Sequence, residues 1–127
     1  MNLNPFVVSA WKVNKLRVHT KKVKKKMITN PLHLLHMDLM GPMWTESRGG
    51  KRYVLVVVDD FSRYSFFSFL KEKSKTIEHL KSLFNRIQVE IDHPIVKIRS
   101  NRGREFENVD VDLFCKSKGI KHEFFSP

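Results

Sequence analysis

The sequence has a single cysteine, Cys115, so no disulfide can close within the chain. Cysteine this sparse suits a reducing compartment. No apolar run approaches the roughly 18 residues of a membrane-spanning helix, and Met1 to Ala10 lacks the long apolar segment of a secretory signal. These scarcities together lead us to expect a protein that acts inside the cell and has no membrane partner. The most uneven scarcity is that of negative charge. No Asp or Glu precedes Asp38, while eight basic residues do: Lys12, Lys15, Arg17, Lys21, Lys22, Lys24, Lys25 and Lys26. From Asp38 to Pro127, 16 Lys or Arg are offset by 13 acids, so most of the formal net charge of +11 sits in the first segment.

This asymmetry divides the chain. Residues 1–30 read as a basic N-terminal segment and residues 31–127 as one globular unit, with the boundary at Asn30-Pro31. The basic segment attracts polyanions, nucleic acid above all, through phosphate contacts and counterion release, with weak electrostatic binding as the expectation. Its Lys21-Lys22-Val23-Lys24-Lys25-Lys26 run has the composition of a nuclear-import signal, which points to the nucleus.

After Pro31 the pattern alternates between strand and helix. Leu32 to Leu39 is an apolar run closed by Gly41-Pro42 and carrying one acid, Asp38. Tyr53 to Val58 and Tyr64 to Leu70 are β-branched and aromatic runs separated by a short link with Asp59, Asp60 and Ser62, which predicts a hairpin. Ile77, Leu80, Phe84, Ile87 and Ile91 recur at spacings of three and four, the stripe of an amphipathic helix with Ser74 as N-cap and Pro94 beyond its end. Ile95 to Arg99 reads as a strand. Val111, Phe114 and Cys115 mark a short helix stopped at Gly119, and Ile120 to Phe125 is a last strand. The order strand-strand-strand-helix-strand-helix-strand is that of an α/β, ribonuclease-H-like mixed sheet.

Four blocks carry a family likeness. Leu35-His36-Met37-Asp38-Leu39-Met40-Gly41-Pro42 resembles the first catalytic block of copia-type retrotransposon integrases. Gly50-Lys51-Arg52-Tyr53-Val54-Leu55-Val56-Val57-Val58-Asp59-Asp60-Phe61-Ser62-Arg63 resembles their second strand. Ile98-Arg99-Ser100-Asn101-Arg102-Gly103-Arg104-Glu105-Phe106-Glu107-Asn108 resembles their second catalytic block. Gly119-Ile120-Lys121-His122-Glu123-Phe124, followed by Ser126-Pro127, resembles the strand before the final catalytic helix. The likeness spans Pro31 to Pro127, and four blocks in the right order are far more specific than one short motif.

The resemblance implies a polynucleotidyl transferase whose two Asp and one Glu hold two divalent ions, usually Mg²⁺, for in-line attack on phosphate. Asp38 matches the first acid. The second falls at Asn101, 63 residues on, where the charge is missing. The third, roughly 35 positions further in the family pattern, would fall past Pro127. The expectation is therefore an integrase core in which Asp38 is the sole charged ligand left for the family's Mg²⁺, and DNA integration is not catalysed. The alternative expectation is a non-catalytic nucleic-acid-binding module that uses the basic segment, with Trp11 as a stacking group.

The resemblance also implies a zinc domain upstream. Val8 and Trp11 stand at Cys-x-x-Cys spacing and cannot ligate zinc, so no zinc is expected. His19, His33, His36, His79, His93 and His122 are scattered, with His33 and His36 expected on opposite faces of a strand. Asp59 and Asp60 read as turn residues far from Asp38, and Glu105 as a partner of Arg102 or Arg104. In a chain without the family's final helix, one face of the sheet is expected to expose apolar side chains and to drive self-association.

Overall fold

The computed structural model describes residues 28–43, 50 and 52–125, and the backbone of residues 10–12. A short strand β1 (Ala10–Lys12) precedes β2 (Leu35–Met40), β3 (Tyr53–Asp59) and β4 (Tyr64–Leu70). Then come α1 (Thr76–Ile91), β5 (Lys97–Ser100), α2 (Val109–Lys118) and β6 (Lys121–Phe124). The sheet order is β1-β4-β3-β2-β5-β6. β2, β3 and β4 form an antiparallel meander, whereas β5 lies parallel to β2 and β6 parallel to β5. Each parallel step is bridged by a helix, because a parallel connection must cross back over the sheet. The three-strand meander and the two helical crossovers agree with the order expected from the sequence.

The helical stripe is where the sequence periodicity puts it. Leu80, Phe84 and Ile87 are buried on α1, and Ile77 and Ile91 pack at its margin. They meet Leu35, Met37, Leu55, Val57, Phe66 and Ile98 from one face of the sheet, together with Val111 and Cys115 of α2. Alternation along each strand sends these side chains to the helix side and their neighbours to the other face. α2 ends at Gly119, whose φ of 70° places it in the left-handed region that favours glycine as a helix stop.

Four expectations need correction. The first central strand begins at Leu35, not Leu32. Residues 31–34 make a turn in which Leu32 has φ 63° and its N–H donates to Asp59 Oδ1 at 2.9 Å. His33 therefore lies in that turn rather than in a strand. Ser74 does not cap α1. It sits in a 3-10 turn (Lys73–Lys75) with its hydroxyl on Glu72, and Lys75 precedes the helix without a capping bond. The helix ends at Ile91 with Asp92 in the left-handed region, before Pro94 is reached. The second sheet face is not laid bare either: Val54, Val56 and Val58 are only 5–8% exposed, with Phe67, Phe69 and Met43 packed on them.

The basic segment contributes more than an arm, since β1 adds a sixth strand by pairing Ala10, Trp11 and Lys12 with Phe66, Ser65 and Tyr64. Lys15, Arg17, Lys21, Lys22, Lys24, Lys25 and Lys26, like Val8, lie outside the described residues. Among the described residues no helix is long and apolar enough to cross a membrane.

Candidate active site

β2 and β5 run side by side and in the same direction, so their carboxyl ends open at one edge of the sheet, where open α/β sheets place their chemistry. In the ladder Leu35 stands opposite Ile98 and His36 opposite Arg99. The same offset carried forward sets Asn101, just past the end of β5, against Asp38. Asp38 is exposed, and its Oδ1 accepts the N–H of its own neighbour Leu39 at 2.9 Å. The two positions singled out from the sequence thus fall on neighbouring parallel strands, at the same end of the sheet.

The loop after β5 is tightly made. Asn101 Oδ1 accepts the Gly103 N–H at 2.7 Å, an Asx-type turn. Buried Ser100 donates to the Asn101 carbonyl at 2.8 Å. A Cβ at Gly103 would lie 2.7 Å from Glu105 Oε2 and 3.0 Å from Asn101 Oδ1, so a larger residue there would push the Glu105 side chain aside. Glu105 is not paired with Arg102 or Arg104 as expected. Its carboxylate meets Lys73 at 3.9 Å across the gap to the 3-10 turn, while Arg102 binds Glu107 at 2.7 Å and stacks over Phe124 at 4.7 Å.

Asp59 and Asp60 lie at the other end of the strands, where Asp59 pairs with Leu35. The buried Asp59 carboxylate accepts from Leu32 N–H, Ser62 N–H and Ser62 Oγ. These are turn-making roles, as expected. Sequence reasoning missed the side-chain network on this face. Asp60 meets His36 Nε2 at 3.1 Å, and that hydrogen bond, outweighing burial, holds its carboxyl below the usual range. Glu123 is bound by Arg99 at 2.9 Å and Lys97 at 3.2 Å; burial pushes its pKa up, but these bonds pull it down further. The alternation of Lys97, Arg99 and of Lys121, Glu123 on adjacent strands was a readable signal for this cluster.

A family ion has poor material here. Magnesium draws on several carboxylate oxygens in a near-octahedral set. Of the two strand positions at the β2–β5 edge, Asp38 carries a carboxylate and Asn101 does not, and the Asn101 amide oxygen is engaged by Gly103. Among the described residues no group of three His, Cys, Asp or Glu is placed to hold a metal. The residues present do not fit the ion, so no chemical step is routed through it.

A three-strand meander, two helix-linked parallel strands and a solvent-facing acid at the carboxyl end of a central strand define an α/β fold of the ribonuclease-H-like class. The integrase core domain family matches residues 28–127. The chain is also 32% identical over 94 residues to a retrovirus-related Pol polyprotein from transposon TNT 1-94 of Nicotiana tabacum, a match covering 74% of this chain and 7% of that protein. The chain belongs to the integrase core family, of the copia type.

Among solved structures, the HTLV-2 integrase catalytic core domain in complex with magnesium superposes with a TM-score of 0.60 at 24% identity, covering 75% of this chain and 60% of that one. A simian T-cell lymphotropic virus intasome in complex with a PP2A regulatory subunit gives a TM-score of 0.60 at 19% identity, covering 76% and 33% respectively. At these identities the likeness establishes the fold.

Proposed function

We propose that this chain keeps the architecture of an integrase core without catalysing polynucleotidyl transfer. The observation that carries the reading is the β2–β5 register, whose offset, carried forward, sets Asn101 level with Asp38. An amide stands where the family's chemistry calls for a second carboxylate. In-line phosphoryl chemistry leans on metal-bound charge, and even loss of a group that merely orients a metal ligand costs about 10–100-fold. Loss of a direct carboxylate ligand costs more.

The test is a strand-transfer assay with the full chain, donor DNA ends and either Mg²⁺ or Mn²⁺. The expected result is no joined product above the protein-free control. Product that appears with the natural chain and vanishes in Asp38→Asn would overturn the reading.

A second reading, nucleic-acid binding by the basic segment, is favoured by one observation: eight basic residues precede the first acid. Its signature would be DNA affinity that falls steeply with salt. Affinity insensitive to salt would remove it.

A further inference from the structure

The two edges of the sheet are built differently. At one edge β6 reads Lys121-His122-Glu123-Phe124, and charged side chains at alternate positions discourage a further strand. Toward the other edge β4 reads Tyr64-Ser65-Phe66-Phe67-Ser68-Phe69-Leu70, with no charge, no proline and no glycine. A strand of that composition at the rim of a sheet invites pairing with a copy of itself. It is not at the rim, because β1 lies on it, with Ala10 opposite Phe66, Trp11 opposite Ser65 and Lys12 opposite Tyr64.

The ladder shows how β1 is held. The Asp60 N–H donates to the Leu34 carbonyl at 3.0 Å, so alternate residues of β3 turn their backbone to β2 and the others, Leu55 and Val57 among them, turn it to β4. Their partners Ser68 and Phe66 face β3, which leaves Ser65 to direct its N–H and C=O at Trp11. Ser65 is 0% exposed, so the edge is closed at this point. Yet β1 has 3 residues against 7 in β4, and it joins β2 only through residues 13–34. It ends in Lys12, and Lys15 and Arg17 follow in the sequence, so the new rim is flanked by like charge that a second copy would repeat.

We propose that β1 is an intramolecular cover over a self-pairing edge. While it is seated, the core stays monomeric at this edge. When it is displaced, β4 of one chain pairs with β4 of a second copy about a twofold axis, an arrangement in which each copy supplies what the other needs. The tether gives the cover an effective concentration on the order of millimolar, so the natural chain stays closed when dilute. Self-association thus has its route at a strand edge, since the second face of the sheet is already packed by Val54, Val56, Val58, Phe67 and Phe69. The cover works in the same way whether or not the Asp38 edge is catalytic.

The experiment is sedimentation velocity of the full chain over a wide concentration range, with circular dichroism to follow folding. Trp11→Pro removes the N–H that the Ser65 carbonyl accepts. Two covers must open for each dimer, so if the lost bond eases opening about tenfold, the dimer Kd should fall about a hundredfold. Trp11→Val keeps the N–H and should behave as the natural chain does. Tyr64→Lys added to Trp11→Pro puts a charge on the edge strand and should restore the monomer. Lys12→Cys with Tyr64→Cys, oxidised, joins a facing pair of the ladder and should stay monomeric at every concentration.

A folded Trp11→Pro chain that remains monomeric throughout overturns the proposal. So does an unfolded one, because β1 would then be part of the fold rather than a cover. Dimers that survive Tyr64→Lys, or that form in the oxidised double-cysteine chain, place the association on another surface and overturn it too.

Discussion

The two faces of the sheet are filled by different physics. On the helix side, Leu35, Met37, Leu55, Val57, Phe66 and Ile98 meet Leu80, Leu83, Phe84 and Ile87, and none is more than 2% exposed. On the opposite side, Val54, Val56 and Val58 keep 5–8% exposure, with half-buried Phe67 and Phe69 beside them. That side then turns polar across β2, β5 and β6, through His36–Asp60 and the Lys97, Arg99 and Glu123 cluster. Asp38 belongs to this second face, directly opposite Val56 in the ladder. Stability resides mainly on the face that the candidate site does not use. A carboxylate can therefore be lost at position 101 while the integrase fold persists.

The largest expected effect breaks this comparison if it fails. Phe84→Ala removes a fully buried ring at the centre of the helix-side core and should cost about 3–5 kcal/mol. Val56→Ala, on the other face and beside Asp38, should cost about 1 kcal/mol. Urea denaturation of both variants measures the difference. Equal losses would mean that the second face carries as much of the fold as the first.

A smaller effect sharpens the comparison between two asparagines with the same local chemistry. Asn108 Oδ1 accepts the Val111 N–H at 2.9 Å and caps α2, whose packing helps hold β6 in place. Asn108→Ala should cost about 1 kcal/mol. The same bond type at Asn101 closes only a surface turn, so Asn101→Ala should cost less in the same denaturation series. A larger loss at Asn101 would give that residue a structural role that the exposed loop does not indicate.

Much of this was legible in the sequence because the periodicities were clean. The Ile77 to Ile91 stripe gave α1, the Tyr53 and Tyr64 runs gave the hairpin, and Gly119 gave the stop of α2. The spacing of Asp38 and Asn101 proved to be the register offset of β2 and β5 itself. What was not legible depended on partners distant in sequence. Leu32 looked like strand because it is apolar, but its conformation is set by Asp59, 27 residues away. Ser74 has the chemistry of a cap, yet the 3-10 turn points its hydroxyl at Glu72. Glu105 was assigned to the nearest arginines, whereas the crossover brings it Lys73. The strand β1 was hidden by its basic surroundings, since three residues are too short for a period to show.

The smallest expected effect separates the two faces by pH. His122 lies on the helix side of β6, with Nε2 on buried Ser100 at 2.9 Å. Burial lowers its pKa below the usual 6.5, and the acids Asp112 and Glu107 only partly oppose this. Between the unfolded and folded values the unfolded chain binds more protons, so stability present above about pH 6.5 declines as pH falls through the folded value. Asp60 and Glu123, on the opposite face, also have lowered values, from 3.8 and 4.5. Their contribution is complete above those usual values and is lost as pH falls through the still lower folded ones. Acid should therefore weaken the protein in two steps, the helix side first and the polar face second. Tm measured from pH 8 downward should show both. His122→Gln should remove the upper step and keep the lower, and Glu123→Gln should shrink the lower and keep the upper. An upper step unchanged in His122→Gln would assign it to another group, and the two faces would no longer be separable by titration.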